Sequence, residues 1–337
     1  MRSPRGSGAP SGRPRSWTAC AGERRLARSS DLPEAGQQGG RPMTARVGII
    51  GTGRMGTAIA KRLIETGHDV SVWNRSPGKT GDAVAAGAQN AASLADLVSD
   101  CGTLISSLTD ATAVSAALDE AIRRGLDGKL WIEMSTLTPD DQRRCAGAAE
   151  EAGALYLECP VGGTVGPALK GALLGMAGGS DAAWARGKPV LESLCKRVDH
   201  LGPVGAGSAM KLAVNLPLAL YWAGMAEALA LLQGSGVDAA RAADLMANSS
   251  AGPAVLKNRL EVVKTTLQGT DQPGTFDLNG LRKDLGLALA WAPHAEGPAG
   301  MPLSEATVAL YDAAIAAGLG GMDGSSLTRF LLSGHEG

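Results

Sequence analysis

The stretch Arg46-Val47-Gly48-Ile49-Ile50-Gly51-Thr52-Gly53-Arg54-Met55-Gly56 constrains the fold more than any other. A short apolar run ends in G-x-G-x-x-G, and the helix-forming segment Ala58-Ile59-Ala60-Lys61-Arg62-Leu63-Ile64 follows, then a second apolar run, Val70-Ser71-Val72-Trp73. This spells strand, turn, helix, strand. The glycines have separate duties in such a turn: Gly51 makes the tight bend, Gly53 lets the backbone approach a pyrophosphate, and Gly56 lets helix pack on strand. The N–H groups that open the helix face the phosphate charge. In a chain with 47 glycines the motif alone means little. Its place between strand and helix makes it a dinucleotide site, with Thr52, Arg54 and Met55 as the other loop residues.

The end of the second strand predicts which dinucleotide. An NAD site offers an Asp or Glu about 20 residues beyond the first glycine, to accept the ribose hydroxyls. Here the chain reads Asn74-Arg75-Ser76-Pro77-Gly78-Lys79. No carboxylate repels a 2′-phosphate, and Arg75, Ser76 and Lys79, with Asn74 beside them, supply charge and donors for one. The expectation is NADP; an exposed basic turn is the alternative reading of the same residues.

At 337 residues the chain has room for two domains. Charged residues make up 19% and the formal net charge is -1, so nucleic acid is not expected as a main partner. Leu212 to Leu232 comes nearest to a membrane-spanning run, but Asn215, Pro217 and Glu227 interrupt it, which suits a buried helix and predicts no membrane partner. The five cysteines (Cys20, Cys101, Cys145, Cys159, Cys195) form no C-x-x-C pair, so neither a disulfide framework nor a zinc cluster is expected, and a reducing cytoplasm is the expected location. His68, His200, His294 and His335 lack metal-ligand spacing, so no metal is predicted. Residues 1–42, with eight Arg against three acidic side chains, read as a disordered extension, and Met43 as the functional start.

From residue 45 to about 205 strand-like and helix-like segments alternate. Strands are predicted at Leu104 to Leu108, Leu130 to Met134, Leu155 to Glu158 and Gly175 to Ala177, and helices near Ala111 to Arg124, Pro139 to Glu151 and Asp181 to Leu194. This predicts an α/β Rossmann-type dinucleotide-binding domain over residues 43–205 with a mainly parallel sheet. Beyond Gly207 the alternation stops. A long helix at Ser208 to Gln233, with Pro217 as a candidate kink, precedes helices near Asp238 to Met246, Val255 to Leu267, Leu278 to Ala292 and Ser304 to Ala317, so residues 206–337 read as all-α.

Four further motifs stand in order after the glycine loop: Glu133-Met134-Ser135-Thr136-Leu137-Thr138-Pro139; Glu158-Cys159-Pro160-Val161-Gly162-Gly163-Thr164-Val165-Gly166-Pro167-Ala168; Gly202-Pro203-Val204-Gly205-Ala206-Gly207 followed by Lys211 and Asn215; and Lys283-Asp284-Leu285. Together they resemble the β-hydroxyacid dehydrogenase family over residues 45 to 330, and the Gly166-Pro167-Ala168 segment is most similar to its glyoxylate/succinic semialdehyde reductase branch. The resemblance implies a 6-phosphogluconate dehydrogenase-like helical domain, an active site in the interdomain cleft, and a homodimer or homotetramer. Leu212, Leu216, Leu220, Met225, Leu229 and Leu232, around much of the long helix, agree with that assembly.

By spacing alone Lys211 is a helix lysine with Asn215 one turn on, on nearly the same face. The resemblance makes Lys211 the proton-transfer residue and Asn215 its orienting partner. It makes Gly162, Gly163 and Thr164 the substrate loop, although the family's serine is replaced by glycine here; a plain tight turn fits the same residues. Ser135 and Thr136 either touch substrate and nicotinamide ribose or cap the following helix. Lys283 becomes a cleft residue beside nicotinamide or substrate, and the cofactor set extends to Leu108, Thr109 and Thr136. The implied reaction is hydride transfer between NADP(H) and a small carbonyl acid or semialdehyde. Imine reduction is the competing chemistry, and a cofactor-binding regulatory protein with little turnover the competing class.

Overall fold

The computed structural model describes residues 46–292 and 300–333. The expected extension over 1–42, the start at Met43, and His294 and His335 lie outside the described residues. The first half runs β1 (Val47–Ile50), α1 (Arg54–Glu65), β2 (Val70–Trp73), α2 (Gly81–Ala85), β3 (Gln89–Asn90), α3 (Leu94–Asp100), β4 (Thr103–Ser106), α4 (Ala111–Arg124), β5 (Leu130–Glu133), α5 (Pro139–Glu151) and β6 (Leu155–Glu158). Six parallel strands lie in the order β3-β2-β1-β4-β5-β6. The order reverses between β1 and β4, and a crevice opens beyond the carboxyl ends of strands at such a switch. Helices cover both faces, so β1, β4 and β5 are buried along their whole length and read as continuous apolar runs rather than alternating ones.

Local chemistry sets the helix starts. Asp110, Thr138 and Ser180 each accept an N–H three residues on, capping α4, α5 and α7 (Asp181–Leu194). The cap of α5 is therefore Thr138, not Ser135 or Thr136. The parallel order ends at β6, which pairs antiparallel with β8 (Leu173–Gly179); β8 also takes β7 (Val161–Gly162) antiparallel and β9 (Cys195–His200) parallel, and the short α6 (Val165–Leu169) lies between β7 and β8. The β7–α6 turn is thereby folded back against the sheet end that carries the crevice.

The rest is helical: α8 (Ala206–Ala230), α9 (Ala239–Ala247), α10 (Ala254–Leu267), α11 (Leu278–Trp291), α12 (Pro302–Ala314), a π-helical turn at Ile315–Leu319, and α13 (Ser326–Leu332). α8 is the axis, packing on α11, α12, α13 and β8. Its length and composition would allow a membrane span. Leu212, Ala219, Trp222, Met225, Ala226 and Leu229 are nonetheless buried inside the domain. The helix continues unbroken through Pro217.

Candidate active site

The glycine loop sits where β1 meets the β4 end, and each glycine has its own steric reason. Gly51 has φ +93°, and a Cβ there would lie 2.5 Å from the Ser107 carbonyl; a Cβ on Gly56 would lie 1.9 Å from the Gly51 carbonyl. Gly53 differs, because a Cβ there meets nothing within 4 Å. It caps α1 without a side chain, and no acidic residue occupies the first turn of that helix. Free N–H groups, open space at Gly53 and a buried Thr52 Oγ1 with no partner among the described residues fit a dinucleotide pyrophosphate.

Around this cradle the predicted cofactor residues divide. Asn74 Oδ1 accepts the Thr52 N–H at 3.1 Å and its Nδ2 donates to the Ser76 carbonyl at 3.1 Å, so its side chain braces the loop. Arg75, Ser76 and Lys79 are exposed at the end of β2, and neither Arg75 nor Lys79 has an ion pair among the described residues. Met55 is half-buried, packed on the core beneath the loop. Arg54 reaches across to the helical domain, donating to the Gly274 carbonyl and to Asp277 Oδ2 at 3.1 Å. Asp277 is the N-cap of α11.

Opposite the cradle, Lys211 and Asn215 lie on the inner face of α8, 8% and 5% exposed. Lys211 Nζ donates to Asn215 Oδ1 at 3.2 Å, and Asn215 Nδ2 donates to Asp284 Oδ2 at 2.6 Å. Asp284 is 4% exposed, and its other oxygen is 3.3 Å from Lys283 Nζ. Lys283 Nζ in turn donates to the Thr136 carbonyl at 3.2 Å and the Thr109 carbonyl at 3.4 Å. One chain of contacts thus runs from α8 through α11 to the loops after β4 and β5. Burial pushes the Lys211 amine below its ordinary value; the nearby Asp284 charge opposes that fall, and Lys283 adds to it.

Ser135 is buried, and its Oγ accepts the Leu108 N–H at 2.8 Å, holding the two loops together. Gly162 and Gly163 form the β7 turn, with Gly163 at φ +115°. Thr164 lines a cavity of about 150 Å³ with Leu218, Trp222 and Phe276, beside the Arg259–Asp323 ion pair. Leu218 and Trp222 are two and three turns beyond Lys211 on the same face of α8. The fold therefore brings the substrate loop and the Lys211 face to one cleft, while Arg75, Ser76 and Lys79 stand at the end of β2.

Two buried glutamates in this region carry roles that the sequence reading left unassigned. Glu133 and Glu158 end adjacent strands in register, and both are fully buried. Glu133 accepts from Ser106 Oγ, Trp131 Nε1 (3.3 Å) and Ser135 N (2.8 Å). Glu158 accepts from the N–H groups of Gly205 (2.5 Å), Gly207 (2.9 Å) and Ser208 (3.2 Å) and from Ser208 Oγ (2.6 Å). Burial pushes both carboxyls upward, against these donors. A usable signal existed: Leu130-Trp131-Ile132-Glu133 and Leu155-Tyr156-Leu157-Glu158 share one spelling, an apolar strand closed by a glutamate.

Known proteins share this two-part fold. The family model described as the NAD binding domain of 6-phosphogluconate dehydrogenase matches residues 46–202, and that for NAD-binding of NADP-dependent 3-hydroxyisobutyrate dehydrogenase matches 205–331. A 3-hydroxyisobutyrate dehydrogenase of Pseudomonas aeruginosa is 34% identical over 72% of this chain and 84% of its own length. Glyoxylate/succinic semialdehyde reductase 1 of Arabidopsis thaliana is 30% identical over 83% of this chain and 96% of its own. Among solved structures, the Mycobacterium tuberculosis 3-hydroxyisobutyrate dehydrogenase with L-serine superposes with TM-score 0.76 at 27% identity, covering 86% of this chain and 99% of that one.

Proposed function

The chain belongs to the β-hydroxyacid dehydrogenase family of the 3-hydroxyisobutyrate dehydrogenases, and from that membership we propose an NADPH-dependent reductase, or reversible dehydrogenase, of a small carbonyl acid or semialdehyde. The observation that carries the proposal is the buried Lys211–Asn215–Asp284 array facing the loops that the Rossmann domain extends toward it. Gly51 to Gly56 would hold a nicotinamide dinucleotide, which when bound would supply or take the hydride. Lys211 gives a proton to the carbonyl oxygen as that oxygen becomes a hydroxyl, and takes it back in the oxidative direction. Asn215 holds the amine in place, because its amide nitrogen is already committed to Asp284 and its carbonyl faces Lys211. The Gly163 N–H and the Thr164 hydroxyl bind the substrate's carboxylate, the Gly162 N–H being taken up by its pairing with Leu174, and Ser135 keeps the facing loop in register.

Arg75, Ser76 and Lys79 support NADP over NAD, since they are exposed, cationic or hydroxylic, and free of acidic partners among the described residues. Catalytic efficiency with NADPH and NADH, in wild type and Arg75→Ala, tests this. The variant should lose efficiency with NADPH selectively; a wild-type preference for NADH sinks the assignment. The function itself is tested by NADPH consumption across glyoxylate, succinic semialdehyde, tartronate semialdehyde, hydrophobic keto compounds and cyclic imines. Turnover of a carbonyl acid supports the proposal. Turnover confined to imines, or tight NADPH binding with no turnover at all, overturns it.

A further inference from the structure

Lys211 can transfer a proton only if its amine is held at a fixed place relative to the loop that binds substrate, and those two parts belong to different domains. One buried side chain ties the strand before that loop to the first turn of the helix that carries the amine. Glu158 closes β6 and lies four residues before Gly162, while its two oxygens receive four donors from the opening turn of α8, the N–H groups of Gly205, Gly207 and Ser208 and the Ser208 hydroxyl; the Ala206 N–H goes to the Pro203 carbonyl. Lys211 is three residues beyond Ser208, on the next turn. The approach is close: a Cβ on Gly207 would lie 2.2 Å from the Met176 carbonyl and 3.3 Å from the Glu158 carboxyl carbon. The N-cap, Gly205, provides no side-chain acceptor of its own. The carboxylate therefore serves as the cap of α8 from another strand, and it sets both the axial position and the rotation of the turn that carries the amine.

We infer that Glu158 is a positioning residue for proton transfer: it fixes the Lys211 turn of α8 against the Gly162–Thr164 loop, which rests on the reading of Lys211 as the proton donor. The near-isosteric Glu158→Gln leaves one acceptor oxygen and turns an NH₂ toward backbone donors. Ser208→Ala removes one of the four bonds and nothing else.

The test uses the full chain. In the free protein, amide hydrogen exchange at Gly207 and Ser208 should accelerate in Glu158→Gln, because only the carboxylate protects those N–H groups. Well below its Tm, kcat should fall about 10- to 100-fold, as for a displaced reacting group. NADPH affinity should stay within about twofold, and the pH limb of kcat that reports Lys211 should move. Ser208→Ala should lose about three- to tenfold in kcat, the value of one hydrogen bond. Glu158→Asp, with both oxygens drawn back by one bond, should fall between Glu158→Gln and wild type. A merely structural role predicts lower Tm in all three with kcat and its pH profile unchanged, and that outcome overturns the inference. Should Glu158→Gln fail to fold, unchanged kcat in Ser208→Ala overturns it alone. Lys211→Ala separates the two readings: near-normal hydride transfer there refutes the donor assignment, whereas an inactive Lys211→Ala beside a normal Glu158→Gln refutes only the positioning role.

Discussion

Lys211 is held where an ammonium is costly, 8% exposed and next to a carboxamide rather than a carboxylate. Its depressed pKa has a sign consequence for stability. Between the folded value and the ordinary one, the unfolded chain binds more protons than the folded one, so stability rises with pH across that window and is lower below it. Lys211→Met removes the buried charge, so it should raise Tm at neutral pH and flatten that rise, while turnover falls roughly 10²- to 10⁴-fold. Calorimetry at several pH values, with single-turnover hydride transfer, measures both; a Met variant less stable than wild type contradicts the burial argument. In wild type the reductive rate should fall as pH climbs through the Lys211 value, since reduction needs the protonated amine. Gly162 offers a second test at this scale. A Cβ there meets Leu174 and Met176 side chains at 3.5 Å, ordinary contact, so Gly162→Ser fits and returns a hydroxyl to the substrate loop. KM for a small carbonyl acid should drop about two- to tenfold, the value of one hydrogen bond. An unchanged KM would show that the loop binds through its backbone alone.

At the scale of elements, the glycine turn separates fold from function within three residues. Gly56→Ala drives a methyl into the Gly51 carbonyl and should unfold the α1–β1 junction, whereas Gly53→Ala points into open space on an extended backbone (φ -68°) that alanine adopts freely. The alanine at 53 should therefore leave stability within about 0.5 kcal/mol of wild type yet weaken dinucleotide binding tenfold or more, its methyl competing with phosphate. Titration of NADPH fluorescence beside a thermal melt decides it; intact binding in Gly53→Ala would mean the pyrophosphate lies elsewhere. Such elements were legible in the sequence wherever a cap with a long period, or an apolar run between turn residues, marked them: α4, α5 and α7 by the first and β6 by the second occur at the residues predicted for them. The short pieces were not. β3, β7 and α6 span two to five residues, too few for a period to show, and β9 is polar over Lys196-Arg197 because it pairs only with β8. The glutamates escaped for a different reason: a charge at a strand end looks like an exit to solvent until the neighbouring chain supplies its donors.

At the scale of the molecule, the helical domain leaves Leu231, Leu245 and Leu303 62% to 84% exposed. Exposed leucines of this kind suit burial by a second copy. Light scattering at micromolar concentration should report at least a dimer, and an active monodisperse monomer would contradict the expected assembly. The α8 clamp also bears on how such proteins can be recombined. The seam between the two halves falls after β9, and a chimera joined there looks conservative on paper. Yet the acceptor for the first turn of the second half is a side chain of the first, some forty residues before the junction. A helical domain grafted onto a foreign Rossmann half inherits whatever that half carries at position 158, so shuffled libraries should keep position 158 and residues 205–208 as one inherited block; the useful crossover lies inside α8, beyond Lys211.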